Sequence, residues 1–350
     1  MSLSKHKVLL LNVNREGWHS GNMIYDMWCV QQACETVIYG PGWPNYKTTD
    51  LKEIIHQIYG DDKPDVIYSY FTPNEKVGNV YINHYNIPER LHNFPTGFDK
   101  VKGIKKVFAL SDFWARTPER FSKDLGGLEF SHMFSCFTPP YSKERHFNAF
   151  FDQKIRDNMK FVAHPRCVEE TCFRDYGLDK EYDVITLGAM SNFYSFRRGM
   201  HNTLSTVAKK IGINYKNYTH CGANFNHTSF VRDDYAKAIS QSKILVSCGG
   251  RYHLAFNKIF EAMGCGTLYI GEKPFGEKEL ALEDGVNYVA VTKSNFLEKI
   301  KYYVDNDSER QTIIDNAKQT FKDHHTIDAR AKDFAKLIEE LLNEGENNGI

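Results

Sequence analysis

The sequence predicts an α/β protein built from two successive doubly wound, Rossmann-like domains. Short apolar runs without alternation recur along the chain, as strands buried on both faces of a parallel sheet do. Helix-period stretches separate them, several introduced by a glycine-bearing turn, which is the order of βα repeats. The pattern lapses over residues 166–182 and then restarts, and a chain of 350 residues is long enough for two such domains.

In the first half, "HKVLLLNVN" (6–14) is a strand, "REGWHSGN" a glycine-containing loop, and 23–33 a helix. "TVIYGPGWP" is a strand ending in a sharp turn, and "PDVIYSYF" (64–71) and "KKVFALSDF" (105–113) supply further strands. An irregular, aromatic-rich stretch follows, through "FSCFTPPYSKERHFNAFF", and closes near "MKFVAHP". Residues 166–182 read as a linker because periodicity is lost. In the second half, "YDVITLGAM" (182–190) is a strand opening on a Gly-Ala turn, 197–212 a helix, 217–225 a strand and loop, and 234–242 a helix. Then come an apolar strand (243–248), a Gly-Gly turn, an amphipathic helix in "FNKIFEAMGCG" and a buried strand (267–270). Gly264 and Gly266 stand where helix-ending glycines are expected. After "NYVAVT" (287–292), helices are expected at 295–304, 308–321 and 327–342, with a frayed tail "NEGENNGI". The domains expected are 1–165, 166–326, and a carboxyl-terminal helix and tail at 327–350.

The 44 Lys and Arg balance the 44 Asp and Glu, so no wide-field attraction to nucleic acid or anionic membrane is implied. Eight scattered cysteines, several inside apolar elements, suit a reducing compartment better than a disulfide scaffold. No run is apolar enough for a signal peptide or transmembrane segment, so a cytoplasmic protein is expected. His164, Cys167 and Cys172 lie close in "HPRCVEETC" but lack paired C-x2-C spacing, so they read as core or loop groups. The one D-x-D triplet, at 305–307, falls between predicted helices and reads as a turn; no metal site is expected.

The helix in "FNKIFEAMGCG" carries an apolar stripe of Phe256, Ile259, Phe260 and Met263, with Asn257, Lys258 and Glu261 on the other side. In a parallel α/β unit the strand's carboxyl end and the next helix's amino end face the ligand crevice, where free N–H groups and the helix dipole favour an anion. The polar side is then either a solvated face with an ion pair or a phosphate site. Arg197 and Arg198 open a second helix, after Gly188 has ended a strand; the first turn of a helix ordinarily favours acids, which points these arginines toward a phosphate.

The segment "KIFEAMGCGTLYIGE", followed by "GVNYVAV" and the run ending "HHTIDARAKDF", resembles the carboxyl-terminal domain of the family 1/4-like glycosyltransferases, a group that includes spore-maturation-type enzymes. The likeness spans about residues 180–340. "KKVFALSD" and "YDVITLGAMSNFYSFRR" also resemble phage DNA β-glucosyltransferases. The resemblance implies a GT-B fold, two Rossmann-like domains facing a central cleft, and a nucleotide-sugar co-substrate, a UDP-sugar being expected. It implies Glu261 as the ribose ligand, Lys258 as a diphosphate contact and Asn257 on the same donor face. A carboxylate accepts hydrogen bonds from two vicinal hydroxyls, and a cation offsets charge developing on a leaving diphosphate. His253 stands eight residues before Glu261, where the commoner E-x7-E pattern has a carboxylate that often contacts the donor sugar.

Arg197, Arg198 and Gly188 would clamp the diphosphate without a metal. His220, Gly222, Asn224 and Phe225 would line the base pocket or simply pack a loop. In the phage enzymes a strand-end aspartate is the general base; Asp112 stands at that relative place and either does this or caps a following helix. Gly17, His19 and Gly21 would face the donor, with His19 a second catalytic candidate or an inert loop residue, and His84 a third. The acceptor expected is a surface glycan or other carbohydrate, with hydroxymethylated DNA as an alternative. A non-catalytic nucleotide-sugar-binding protein is the reading that His253 favours. An NAD-type oxidoreductase lacks its G-x-G-x-x-G fingerprint. Donor sugar, stereochemical course and oligomeric state are not encoded legibly.

Overall fold

The computed structural model describes residues 2–16, 22–71, 76–112, 117–125, 128–137, 151–218 and 232–344. It divides into two compact units: Met1–Glu16, Asp26–Pro165 and Ala331–Ile350 form one, Gly17–Tyr25 and Arg166–Arg330 the other.

The first unit holds six parallel strands: β1 (Lys7–Leu11), β2 (Glu35–Tyr39), β3 (Val66–Ser69), β4 (Lys105–Leu110), β5 (His132–Ser135) and β6 (Lys160–Ala163). Their spatial order is β2-β1-β3-β4-β5-β6, so the chain reverses direction across the sheet between β1 and β3. Val8 to Leu11 and Val66 to Ser69 are buried, as continuous apolar strands covered on both faces must be. The helices are α1 (Asn22–Ala33), which belongs to this unit from Asp26 onward, α2 (Leu51–Tyr59), α3 (Asn79–Tyr85), α4 (Pro118–Leu125) and α5 (Gln153–Asn158). Asp50 caps α2 by accepting from the Glu53 N–H at 3.0 Å.

The second unit holds β7 (Tyr182–Leu187), β8 (Tyr215–Tyr218), β9 (Ser242–Val246), β10 (Leu268–Gly271) and β11 (Val289–Ala290), all parallel, in the order β11-β10-β9-β7-β8. Here the reversal falls between β7 and β9, the position at which doubly wound sheets open their ligand crevice. The helices are α6 (Ser195–Val207), α7 (Asp233–Ser240), α8 (Asn257–Gly264), α9 (Phe296–Asp305) and α10 (Asp307–His324). Val184, Ile244, Val246, Leu268 and Ile270 pack with Met200 and Leu204 of α6 and Ile313 and Ile314 of α10.

The last helix, α11 (Ile327–Asn343), packs on the first unit from Ala331 onward. Phe334 is fully buried there, its ring 5.2 Å from Tyr68, 6.1 Å from Phe134 and 5.0 Å from His164. The expected linker at 166–182 is irregular but not loose at its start: Cys167, Val168, Cys172 and Phe173 are buried, and Val168 bridges Thr326. The seven cysteines described are free thiols. The 305–307 triplet joins α9 to α10, Asp305 pairing with Lys301 and Asp307 with Arg310. No helix among the described residues is long and apolar enough to cross a membrane.

Candidate functional site

At the end of β7 the chain turns through Gly188 with φ +99°, a region L-residues rarely enter. Space is equally restrictive: a Cβ there would lie 2.8 Å from Arg197 Nη1 and 2.8 Å from Lys258 Cε. The bare glycine therefore lets two cations from different helices, α6 and α8, converge on one backbone turn. Arg197 is 2% exposed although it lies in a helical first turn, where the dipole disfavours a cation. Its Nη1 donates to the Ala189 carbonyl at 2.9 Å, its guanidinium stacks 4.3 Å over the Tyr194 ring, and its Nε has no partner. A buried cation held this way is costly unless an anion completes it.

Helix α8 begins without a side-chain cap, since Phe256 occupies that place. The polar face read from the sequence is buried rather than solvated: Asn257 is 4% and Glu261 6% exposed. Asn257 Nδ2 donates to the Cys167 carbonyl at 3.3 Å, while its Oδ1 has no partner. Glu261 Oε2 accepts from the Tyr235 hydroxyl of α7 at 3.0 Å. Burial pushes the Glu261 carboxyl up, opposed by Lys258, by the Tyr235 hydrogen bond and by Arg197. Lys258 Nζ lies 5.7 Å from the Tyr235 ring centroid. One carboxylate, two cations and a glycine turn thus meet at the carboxyl ends of β7 and β9. Such a set can grip a polyanion and, beside it, a pair of hydroxyls.

The structure thus brings Gly188, Arg197, Lys258 and Glu261 together, with Asn257 at the start of the same helix. Arg198 is exposed on α6 and donates instead to Asn192 Oδ1 at 2.8 Å, because one residue along a helix turns the side chain by about 100°. Asp112 is exposed just past β4, in the first unit. His84 lies in the last turn of α3 with its ring 4.6 Å from Tyr85. His19 and Gly222 lie outside the described residues, as do Gly17, Gly21, His220, Asn224 and Phe225. Tyr194 and Tyr235 were not legible as site residues: each is an ordinary aromatic in its local pattern, and only folding sets it against Arg197 or Glu261. His253 takes a left-handed φ of +51° and lies 3.6 Å from Glu272, a contact the sequence did not signal.

Residues 197–336 match the family model described as glycosyl transferase-like. Among solved structures the chain is similar to a sucrose-phosphate synthase from Thermosynechococcus elongatus, with TM-score 0.59 and 11% identity over 97% of this chain and 100% of that one. It is similar to a glycosyltransferase from Rickettsia africae, with TM-score 0.57 and 12% identity over 97% and 99%. It is also similar to Anabaena HepE, solved with UDP and glucose, with TM-score 0.56 and 13% identity over 96% and 100%. No curated protein matches the sequence.

Proposed function

We propose that this chain, which has the GT-B fold and whose residues 197–336 match a glycosyl transferase-like model, is a glycosyltransferase that moves a sugar from a UDP-sugar to a hydroxyl of a carbohydrate acceptor. The observation that carries the donor reading is the convergence of Arg197 and Lys258 on the side-chain-free turn at Gly188, beside buried Glu261. Arg197 and Lys258, with the uncapped N–H groups of α8, receive the diphosphate. Glu261, steadied by Tyr235, accepts from the ribose hydroxyls. That HepE is solved with UDP-glucose supports uridine as the base.

As the glycosidic bond to the sugar breaks, negative charge grows on the leaving diphosphate. The two fixed cations and the helix dipole already face it, which lowers the barrier without a divalent cation. Asp112 is the proposed base for the acceptor hydroxyl. Calorimetric titration with UDP tests the donor site: wild type binds, and Glu261→Ala and Lys258→Ala each bind at least tenfold more weakly, as loss of a charge-assisted hydrogen bond of about 1.5–3 kcal/mol requires. Wild type that ignores UDP refutes the reading. Release of sugar from UDP-hexoses, lost in Asp112→Asn while UDP still binds, separates a transferase from a non-catalytic binder.

A further inference from the structure

Glu272 follows the last residue of β10 and sits beside the site without being used by it. One of its oxygens has a neighbour: Oε1 lies 3.6 Å from His253 Nδ1, an ion-pair distance. The other, Oε2, is buried and has no hydrogen-bond partner. Its side chain is 17% exposed. Burial pushes the carboxyl up, opposed by His253, the Gly249 N–H and Lys293. A buried acceptor without a partner is unfavourable, so this carboxylate has an unmet capacity for a donor that a bound ligand can supply.

The loop beside it is closely packed. Gly250 has φ +64° and His253 φ +51°, and a Cβ on Gly250 would lie 2.3 Å from the Phe193 ring. Phe193 is packed 5.7 Å from Tyr252 and 6.5 Å from Phe256, while His253 lies 5.7 Å from Phe275. His253, its side chain 48% exposed, thus stands between Phe275 and the carboxylate.

Position supplies the ligand's chemistry. In the sheet β10 neighbours β9, and β9 neighbours β7. Glu272 at the end of β10 thus stands two strands from Gly188 at the end of β7, roughly 10 Å at about 4.8 Å per strand. That is about one hexose ring beyond a phosphate held at Gly188. A carboxylate oxygen accepts, so the group that completes it is a donor, and the donors a hexose offers are its hydroxyls.

We propose that Glu272, flanked by His253, reads a hydroxyl of the transferred sugar and so sets donor-sugar specificity. This rests on the nucleotide-sugar reading above. The test is calorimetric titration of wild type, Glu272→Gln and His253→Ala with UDP, UDP-glucose, UDP-galactose and UDP-N-acetylglucosamine. The expected result is that UDP binds all three proteins within threefold, while the sugar nucleotide preferred by wild type binds Glu272→Gln at least tenfold more weakly and His253→Ala in between. A sugar nucleotide bound equally by wild type and Glu272→Gln overturns the proposal. So does a parallel loss of UDP and UDP-sugar, which marks a structural role. Absence of UDP binding to wild type overturns the donor reading itself, and this proposal with it.

Discussion

Replacing Gly188 with alanine adds one carbon at the point where the two cations meet. That carbon would lie 2.8 Å from Arg197 Nη1, 2.8 Å from Lys258 Cε and 3.3 Å from Lys258 Nζ. Unstrained contacts need about 3.5–4.0 Å, so each side chain must retreat by roughly 1 Å. The backbone adds its own cost, because φ +99° is hostile to any L-residue and strain of this kind is worth about 1–3 kcal/mol. Stability falls by that amount, lowering the melting temperature by several degrees. Affinity for UDP falls more than stability alone explains: displaced cations forfeit much of two charge-assisted contacts of about 1.5–3 kcal/mol each, a loss of tenfold to several hundredfold. Gly199 provides the control, since it is exposed on α6 and an added Cβ meets nothing within 4 Å. There alanine stabilises by about 0.5–1 kcal/mol through helix propensity and leaves UDP binding unchanged. Differential scanning calorimetry and UDP titration on both variants read these effects. A folded Gly188→Ala protein that binds UDP as wild type does refutes the reasoning.

Three further predictions concern other parts of the chain. Phe334→Ala removes a fully buried ring from the cluster with Tyr68, Phe134 and His164 and costs about 3–5 kcal/mol by urea unfolding. His325 is stacked on Phe260, with its ring nitrogens against the Leu280 carbonyl and Arg330 Nη2, and burial followed by Arg330 holds it neutral well below the ordinary imidazole range. The unfolded chain protonates it near pH 6.5 and the folded chain does not, so its contribution is intact above that pH and declines as pH falls. Urea midpoints at pH 7.5 and 5.5 therefore separate more in wild type than in His325→Gln. Finally, chelation by EDTA leaves sugar transfer within twofold, whereas a metal-dependent diphosphate site would lose it.

Much of the architecture is legible because a doubly wound sheet writes its central strands as unbroken apolar runs: "VLLL", "VIY" and "ILV" can be buried only on both faces. The peripheral strands β5 and β6 carry no such run. "HMFS" opens with a histidine, "KFVA" opens with an exposed lysine, and both are only four residues long, so their pairing depends on the sheet already being present. Helix α2 is different, since its Asp50 cap and apolar period stand in the sequence and reading strands alone passes over them. In the site, Lys258 and Glu261 are legible because one helix carries both at one-turn spacing. Tyr235 and Glu272 come from other elements and join them only through folding. Between Arg197 and Arg198 helix rotation decides: Arg197 falls on the stripe of Phe196, Met200 and Leu204 and is buried, while Arg198 is exposed.

The central claim is that a nucleotide diphosphate occupies the turn at Gly188. A crystal structure of the chain with UDP tests it most directly. The account predicts both phosphates between Arg197, Lys258 and the start of α8, and the ribose hydroxyls on Glu261. UDP seated elsewhere, with Glu261 still held only by Tyr235, would contradict it.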